Sequence, residues 1–139
     1  MITHLEEYRP CLAMAKSGLL YEELTYAIIS AFFEVYNTLG FGFLERIYVE
    51  ALTRELRRRG HKVAREVYVH VFYKGDDLGT QKVDMIVDDK CIVEIKSTYH
   101  LHPAATRQVH SYLKSTHLDV GLLLHFRPEP KFYRMEPKQ

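Results

Sequence analysis

The chain reads as an α/β sandwich, with helices covering a mixed sheet. Three observations predict it. Two helical stripes come before any strand signal. Three strand-like runs then follow one another with tight polar turns between them, as hairpins do. A third helical stripe leads directly into a short apolar run, as a crossover to a sheet-interior strand does.

The first helix is predicted from Tyr21, because Leu24, Ile28, Phe32 and Val35 recur at helical spacing and Tyr36 and Leu39 continue the stripe. Gly40 is its stop, through a left-handed cap. Gly40-Phe41-Gly42-Phe43 is a hinge. A second helix is expected from about Leu44 to Arg59, with Tyr48, Val49, Leu52 and Leu56 inward and Gly60 as its stop. Glu45 lies one turn before Tyr48 and suits the positive end of that helix. Arg54, Arg57, Arg58 and Arg59 crowd the other end, where they complement the dipole or greet phosphate.

Val63 to Tyr73 alternates as a long strand, and Lys74-Gly75-Asp76-Asp77 is a hairpin turn signal. The next strand starts near Leu78, with Gly79 marking a bulge or a close backbone approach. It runs to Val87, and Cys91 to Lys96 forms the third strand. Pro103 opens the third helix, whose buried stripe is Ala104, Ala105, Val109, Tyr112 and Leu113, with Gln108 on its edge. Leu118 to Phe126 is the crossover strand. Phe132 to Met135, among Pro128, Pro130 and Pro137, is an edge strand. Met1 to Ser17 has weak periodicity and contains Pro10. Residues 1–20 are therefore set apart as an N-terminal extension, and residues 21–139 as one domain.

Composition bounds the function. A chain of 139 residues is one domain by size and can bury roughly two-thirds of its unfolded surface. Hydrophobic content of 47% and charged content of 27% are ordinary globular values. The formal charge of +1 excludes a polycation, so nucleic-acid binding would need a local patch. Cys11 and Cys91 make no disulfide framework and no four-thiolate site. Cys91, in a strand, reads as a buried inert thiol. No stretch approaches the ~20 apolar residues of a membrane span. The N-terminus, with His4, Glu6, Glu7 and Arg9, lacks a signal peptide's apolar core, so the reducing cytoplasm is the expected compartment. His100 and His102 before Pro103 read as exposed loop rather than as a zinc site. The ten tyrosines mostly fall on apolar faces and are expected to pack.

The chemistry concentrates in Val83 to Lys96. Val83, Met85 and Val87 alternate with Asp84 and Ile86, so Asp84 is expected to face away from all three. Asp88-Asp89-Lys90 is the turn. A hairpin symmetric about Asp89 sets Asp84 opposite Glu94 and Ile86 opposite Ile92, with opposed side chains roughly 5 Å apart. Two adjacent carboxylates repel, and burial raises their pKa values. A divalent cation between them removes that cost, and hard oxygen ligands suit Mg²⁺ or Mn²⁺. Spacing alone leaves the alternative open: a solvent-facing pair, one member neutralised by Lys96.

Gly42-Phe43-Leu44-Glu45-Arg46-Ile47-Tyr48, then Asp84, Glu94-Ile95-Lys96 and Gln108-Val109-His110-Ser111-Tyr112-Leu113, together resemble the GxxExxY protein family of the PD-(D/E)XK nuclease-like superfamily. The resemblance spans about Tyr21 to Phe132. It implies a restriction-endonuclease-like three-layer sandwich, with the central mixed sheet flanked by helices. It implies a metal-dependent nuclease acting on nucleic acid, DNA before RNA, with Mg²⁺ or Mn²⁺. Asp84 and Glu94 would bind metal, with the Ile95 backbone carbonyl as a third ligand and Glu45 completing the site directly or through water. Lys96 would position the attacking water, Gln108 would hold that water or Lys96, and Gly42 and Tyr48 would support Glu45. Arg54, Arg57 and Arg58 are candidates for nucleic-acid contact. Phe41 stands where such proteins often carry Pro, Tyr36 where His is frequent, and Val83 where the superfamily name has Pro. None of these departures removes a ligand or the lysine.

The competing reading is a non-catalytic nucleic-acid-binding or protein-interaction module that retains the fold. Its motivation is the near-zero charge, the small size and the lack of a base-reading element. A homodimer is also compatible with the sequence, through the apolar Phe32-Phe33 and Leu122-Leu123-Leu124 runs. No membrane partner is expected.

Overall fold

The structure, a computed structural model, describes residues 21–138; the extension expected over residues 1–20 lies outside them. Helices α1 (Glu22–Leu39) and α2 (Glu45–Arg58) are followed by strands β1 (Val63–Tyr73), β2 (Asp76–Val87) and β3 (Cys91–Ser97). Helix α3 (Ala104–Thr116) and strands β4 (Val120–Phe126) and β5 (Lys131–Met135) complete the order. The sheet order is β1-β2-β3-β4-β5. Only β3 and β4 are parallel, joined through α3; every other pair is antiparallel. No helix among the described residues is long and apolar enough to cross a membrane.

Two apolar clusters make three layers. Ile28, Phe32, Leu52 and Leu56 of α1 and α2 pack on Met85, Val87, Val93, Ile95 and Phe126 of one sheet face. Val109, Tyr112 and Leu113 of α3 pack on Val83, Ile92 and Leu123 of the other. This is the restriction-endonuclease-like sandwich, built because β3 and β4 are buried on both faces and need cover on both. The Phe32-Phe33 and Leu122–Leu124 runs are consumed here: none of these side chains is more than 3% exposed. They therefore present no surface for a second copy, contrary to expectation.

Three local expectations are corrected. Gly40 stops α1, but at φ 70° and ψ −164° it is not a left-handed helical cap; its amide still closes the helix on the Tyr36 carbonyl at 2.7 Å. The tyrosines divide, and Tyr21, Tyr68, Tyr73 and Tyr99 are exposed. Val83 does not share a face with Met85 and Val87, since it joins the α3 cluster while they join the helix pair. The neighbouring strand changes face at the same place. Val63 packs with the helix pair, whereas Val67 and Val69 pack toward α3. Between them Glu66 takes φ 50°, and no register pair joins Glu66 to Asp84. A left-handed residue inside a strand reverses the two-residue alternation beyond it. Gly79 does mark a bulge, as expected, because Val71 pairs Gly79 and Phe72 pairs Asp77.

Candidate active site

Where the alternation reverses, β2 and β3 part. Their register runs Val87↔Cys91, Ile86↔Ile92 and Met85↔Val93. That symmetry about Asp89 is the expected one, and left-handed Asp88 and Asp89 make the turn. One step further, side chains replace the backbone ladder. The Ile95 amide donates to Asp84 Oδ2 at 2.9 Å, and the Asp84 amide donates to Glu94 Oε1 at a longer 3.3 Å. Beyond this point β2 continues with β1, and β3 with β4. The two carboxylates therefore sit in the fork of the sheet.

Glu94 is 5% exposed. Its other oxygen lies 3.7 Å from Lys96 Nζ. Burial foremost, and then the Asp84 charge, push its carboxyl up to about 8, with Lys96 opposing. Such a shift is the signature of a buried acid short of positive charge. Tyr112, on α3 beneath the pair, donates to the Lys82 carbonyl at 3.2 Å. Burial and the charges of Glu94 and Asp84 raise its phenol above the usual range.

Glu45 arrives from the opposite layer as the first residue of α2. The Ser97 amide donates to it, and Ser97 Oγ donates to the Phe43 carbonyl at 2.8 Å. Thus the end of β3 is tied to the start of α2. Glu45 is exposed as a residue, yet its carboxyl is raised, first by partial desolvation and then by Asp84, against the lowering influence of Lys96 and Ser97. Tyr48 is fully buried, stacks on Phe126 at 3.9 Å, donates to the Gly40 carbonyl at 2.5 Å and accepts from the Phe43 amide at 3.3 Å. It clamps the hinge that aims Glu45. Gly42 sits in this hinge at φ 124°, which a side chain would strain although space is open around it.

Glu45, Lys96 and Gln108 line one cleft of about 400 Å³ with Thr98, His100 and His102. The structure thus brings Glu45, Lys96 and Gln108 to one cleft, and Lys96 stands between that cleft and the Glu94–Asp84 pair. The arginines are not brought there. Arg54 pairs with Glu50 at 3.0 Å, Arg57 donates to the Val63 carbonyl at 2.8 Å, and Arg58 pairs with Glu55 at 3.5 Å. They lie along α2 away from Glu45, the last of them roughly 20 Å distant at the helical rise. His100 and His102 are exposed, and His102 Nδ1 accepts from the Ala104 amide at the start of α3. Cys91 is buried and its thiol is pushed up to about 12, as an inert thiol is.

Ser97 and His125 escaped sequence reasoning. Ser97 carries no pattern signal. His125 does: it is a lone polar residue in an apolar strand, which calls for a partner. It is 1% exposed, and its Nε2 bonds the Thr98 carbonyl at 2.8 Å, fixing the loop that walls the cleft.

Among the described residues no three of His, Cys, Asp and Glu form a ready metal cage. Mg²⁺ does not need one, since it binds through one or two carboxylates and keeps waters for a phosphate to replace. Two hard-oxygen carboxylates, one of them buried and raised, fit such an ion.

A family model of the PD-(D/E)XK nuclease superfamily matches residues 22–135. No curated protein matches the chain. Among solved structures, the crystal structure of SSO0001 is similar, at a TM-score of 0.54 and 17% identity, over 94% of this chain and 63% of that one. The chain thus spans less than two thirds of that structure's length, and the likeness is one of fold.

Proposed function

The chain belongs to the PD-(D/E)XK nuclease superfamily, and on that premise we propose that it is a metal-dependent nuclease of the GxxExxY type that hydrolyses phosphodiester bonds, with DNA the favoured polymer. One observation carries the reading: Asp84 and Glu94 cross-bond at the fork of the sheet, with Lys96 3.7 Å from Glu94.

In this reading Asp84, Glu94 and the Ile95 carbonyl hold Mg²⁺ or Mn²⁺, with Glu45 reaching it directly or through water. The ion would supply Lewis-acid stabilisation of the phosphoryl oxygens and acidify a bound water. Lys96 holds the attacking water in line with the phosphorus and places a fixed positive charge beside the developing negative charge. Gln108, on the cleft wall with Lys96, orients that water or the lysine. Tyr48 and Gly42 keep Glu45 aimed. Ile92, fully buried, and Ile86 opposite it keep bulk water from the carboxylates on one side.

The test is cleavage of single-stranded, duplex and branched DNA and of RNA, with Mg²⁺ or Mn²⁺, by wild type and by Lys96→Ala and Asp84→Asn. Abolished cleavage in both variants, with unchanged melting of Lys96→Ala, supports the mechanism. Full activity in Lys96→Ala would overturn it. No cleavage of any substrate would leave the non-catalytic module.

A further inference from the structure

We infer that the outer face of α3 is the track of a single nucleic-acid strand entering or leaving the cleft; this rests on the nuclease reading above and names how its substrate is held. Three features of the molecule lead there.

The first is charge. On α2, Arg54 and Arg58 pair with Glu50 and Glu55 and Arg57 donates to the Val63 carbonyl, so Arg46, beside Glu45, is the one exposed arginine of that helix with no such partner among the described residues. Helix α3 contains no carboxylate at all. Arg107, Ser111 and Lys114 fall at i, i+4 and i+7, one continuous helical line. Arg107 and Lys114 are exposed and have no ion-pair partner among the described residues. The line starts beside Gln108 on the cleft wall and runs roughly 10 Å toward the helix C-terminus.

The second is shape. Clefts of about 500 and 700 Å³ flank the second half of α3 and share Ser111, Lys114 and His117. Of the side chains lining them only Asp119 carries a carboxylate. In the larger cleft His110 Nδ1 is buried without a hydrogen-bond partner.

The third is an aromatic surface. The β1–β2 hairpin forms the far wall of the smaller cleft and presents Phe72 there, 63% exposed. An exposed aromatic ring in the same cleft as the unpaired Lys114 cation suits a strand whose bases are free to stack, and a base-paired duplex offers no such free face.

The test uses the full chain made inert by Asp84→Asn, with Mg²⁺ present, binding a fluorescent single strand or a blunt duplex of the same sequence. Lys114→Glu, Arg107→Glu and Phe72→Ala are each expected to weaken single-strand binding about tenfold. The two charge changes also flatten the log–log salt dependence, by about 0.7 for each phosphate left without its cation. Arg54→Glu, on α2, is expected to bind as the parent does. If the parent binds the single strand and Lys114→Glu and Phe72→Ala bind it equally well, the track is wrong and the nuclease reading stands. If duplex binding falls as much as single-strand binding, the preference for one strand is wrong. If the parent binds neither polymer, the track and the nuclease reading fall together.

Discussion

Asp84 and Glu94 each hold the other's strand. The amide of Asp84 donates to Glu94, and the amide following Glu94 donates to Asp84. Where a backbone ladder would continue, two carboxylates serve as acceptors, so the point at which the sheet opens is also the point at which the two acids meet.

Glu94 makes the metal-free protein pH-sensitive. Its carboxyl is raised from 4.5 to about 8, chiefly by burial. The folded state then binds the extra proton between those values. The stability this group contributes is fully present below pH 4.5 and is lost as pH rises through the folded value. Glu94→Gln removes the charge and nearly keeps the shape. In EDTA its melting temperature is expected to match or exceed wild type above about pH 8, with a flatter profile below it. A wild-type profile that rises across that window would contradict the buried acid. Cleavage should be absent in this variant, so a gain in stability is expected to accompany the absence of activity.

A divalent cation should stabilise the wild type in proportion to occupancy, by about 2.7 kcal/mol at roughly a hundredfold excess over Kd. Asp84→Ala should abolish this shift. It also deprives the Ile95 amide of its acceptor, which lowers the starting stability by roughly 1 kcal/mol. The informative quantity is therefore the melting-temperature change on adding Mn²⁺, compared between the two proteins. Equal shifts in both would remove Asp84 from the metal site.

Tyr48→Phe keeps the stack on Phe126 and deletes the hydroxyl that clamps Gly40 and Phe43. A cost of about 1 kcal/mol is expected by denaturant unfolding. Cleavage should fall further than stability does, because Glu45 follows the hinge. Cleavage rates at saturating Mg²⁺ measure the second effect, and an unchanged rate would mean that α2 alone aims Glu45.

Gly121→Ala tests the packing behind the site. A Cβ there would meet Val109 Cγ1 at 2.7 Å, pressing α3 away from β4. A destabilisation of about 1–3 kcal/mol is expected, read from the unfolding midpoint. A neutral result would mean that α3 slides without penalty.

Much of this was legible from the chain. Turn residues and apolar spacing are local signals, so the order of eight elements followed from them, and so did the symmetric hairpin about Asp89. The site residues came partly from that register and partly from the resemblance. Face assignments failed where a nonlocal cause intervened. Nothing in the sequence around Val83 announces that the alternation reverses there, opposite a left-handed Glu66 on the neighbouring strand. The arginines of α2 looked available because the chain does not announce that Arg54 and Arg58 pair with Glu50 and Glu55, or that Arg57 donates to the Val63 carbonyl.

The element order, the α/β class, the hairpin register and the residue types for a hard-cation site can all be read along the chain, because they depend on near neighbours within it. Three other features belong to the folded molecule. The strands β2 and β3 fork at Asp84, Ser97 ties β3 to α2 beside Glu45, and the β1–β2 hairpin brings Phe72 to the cleft that Lys114 of α3 lines. Each of these joins segments far apart in the chain, and packing alone selects which of their groups meet.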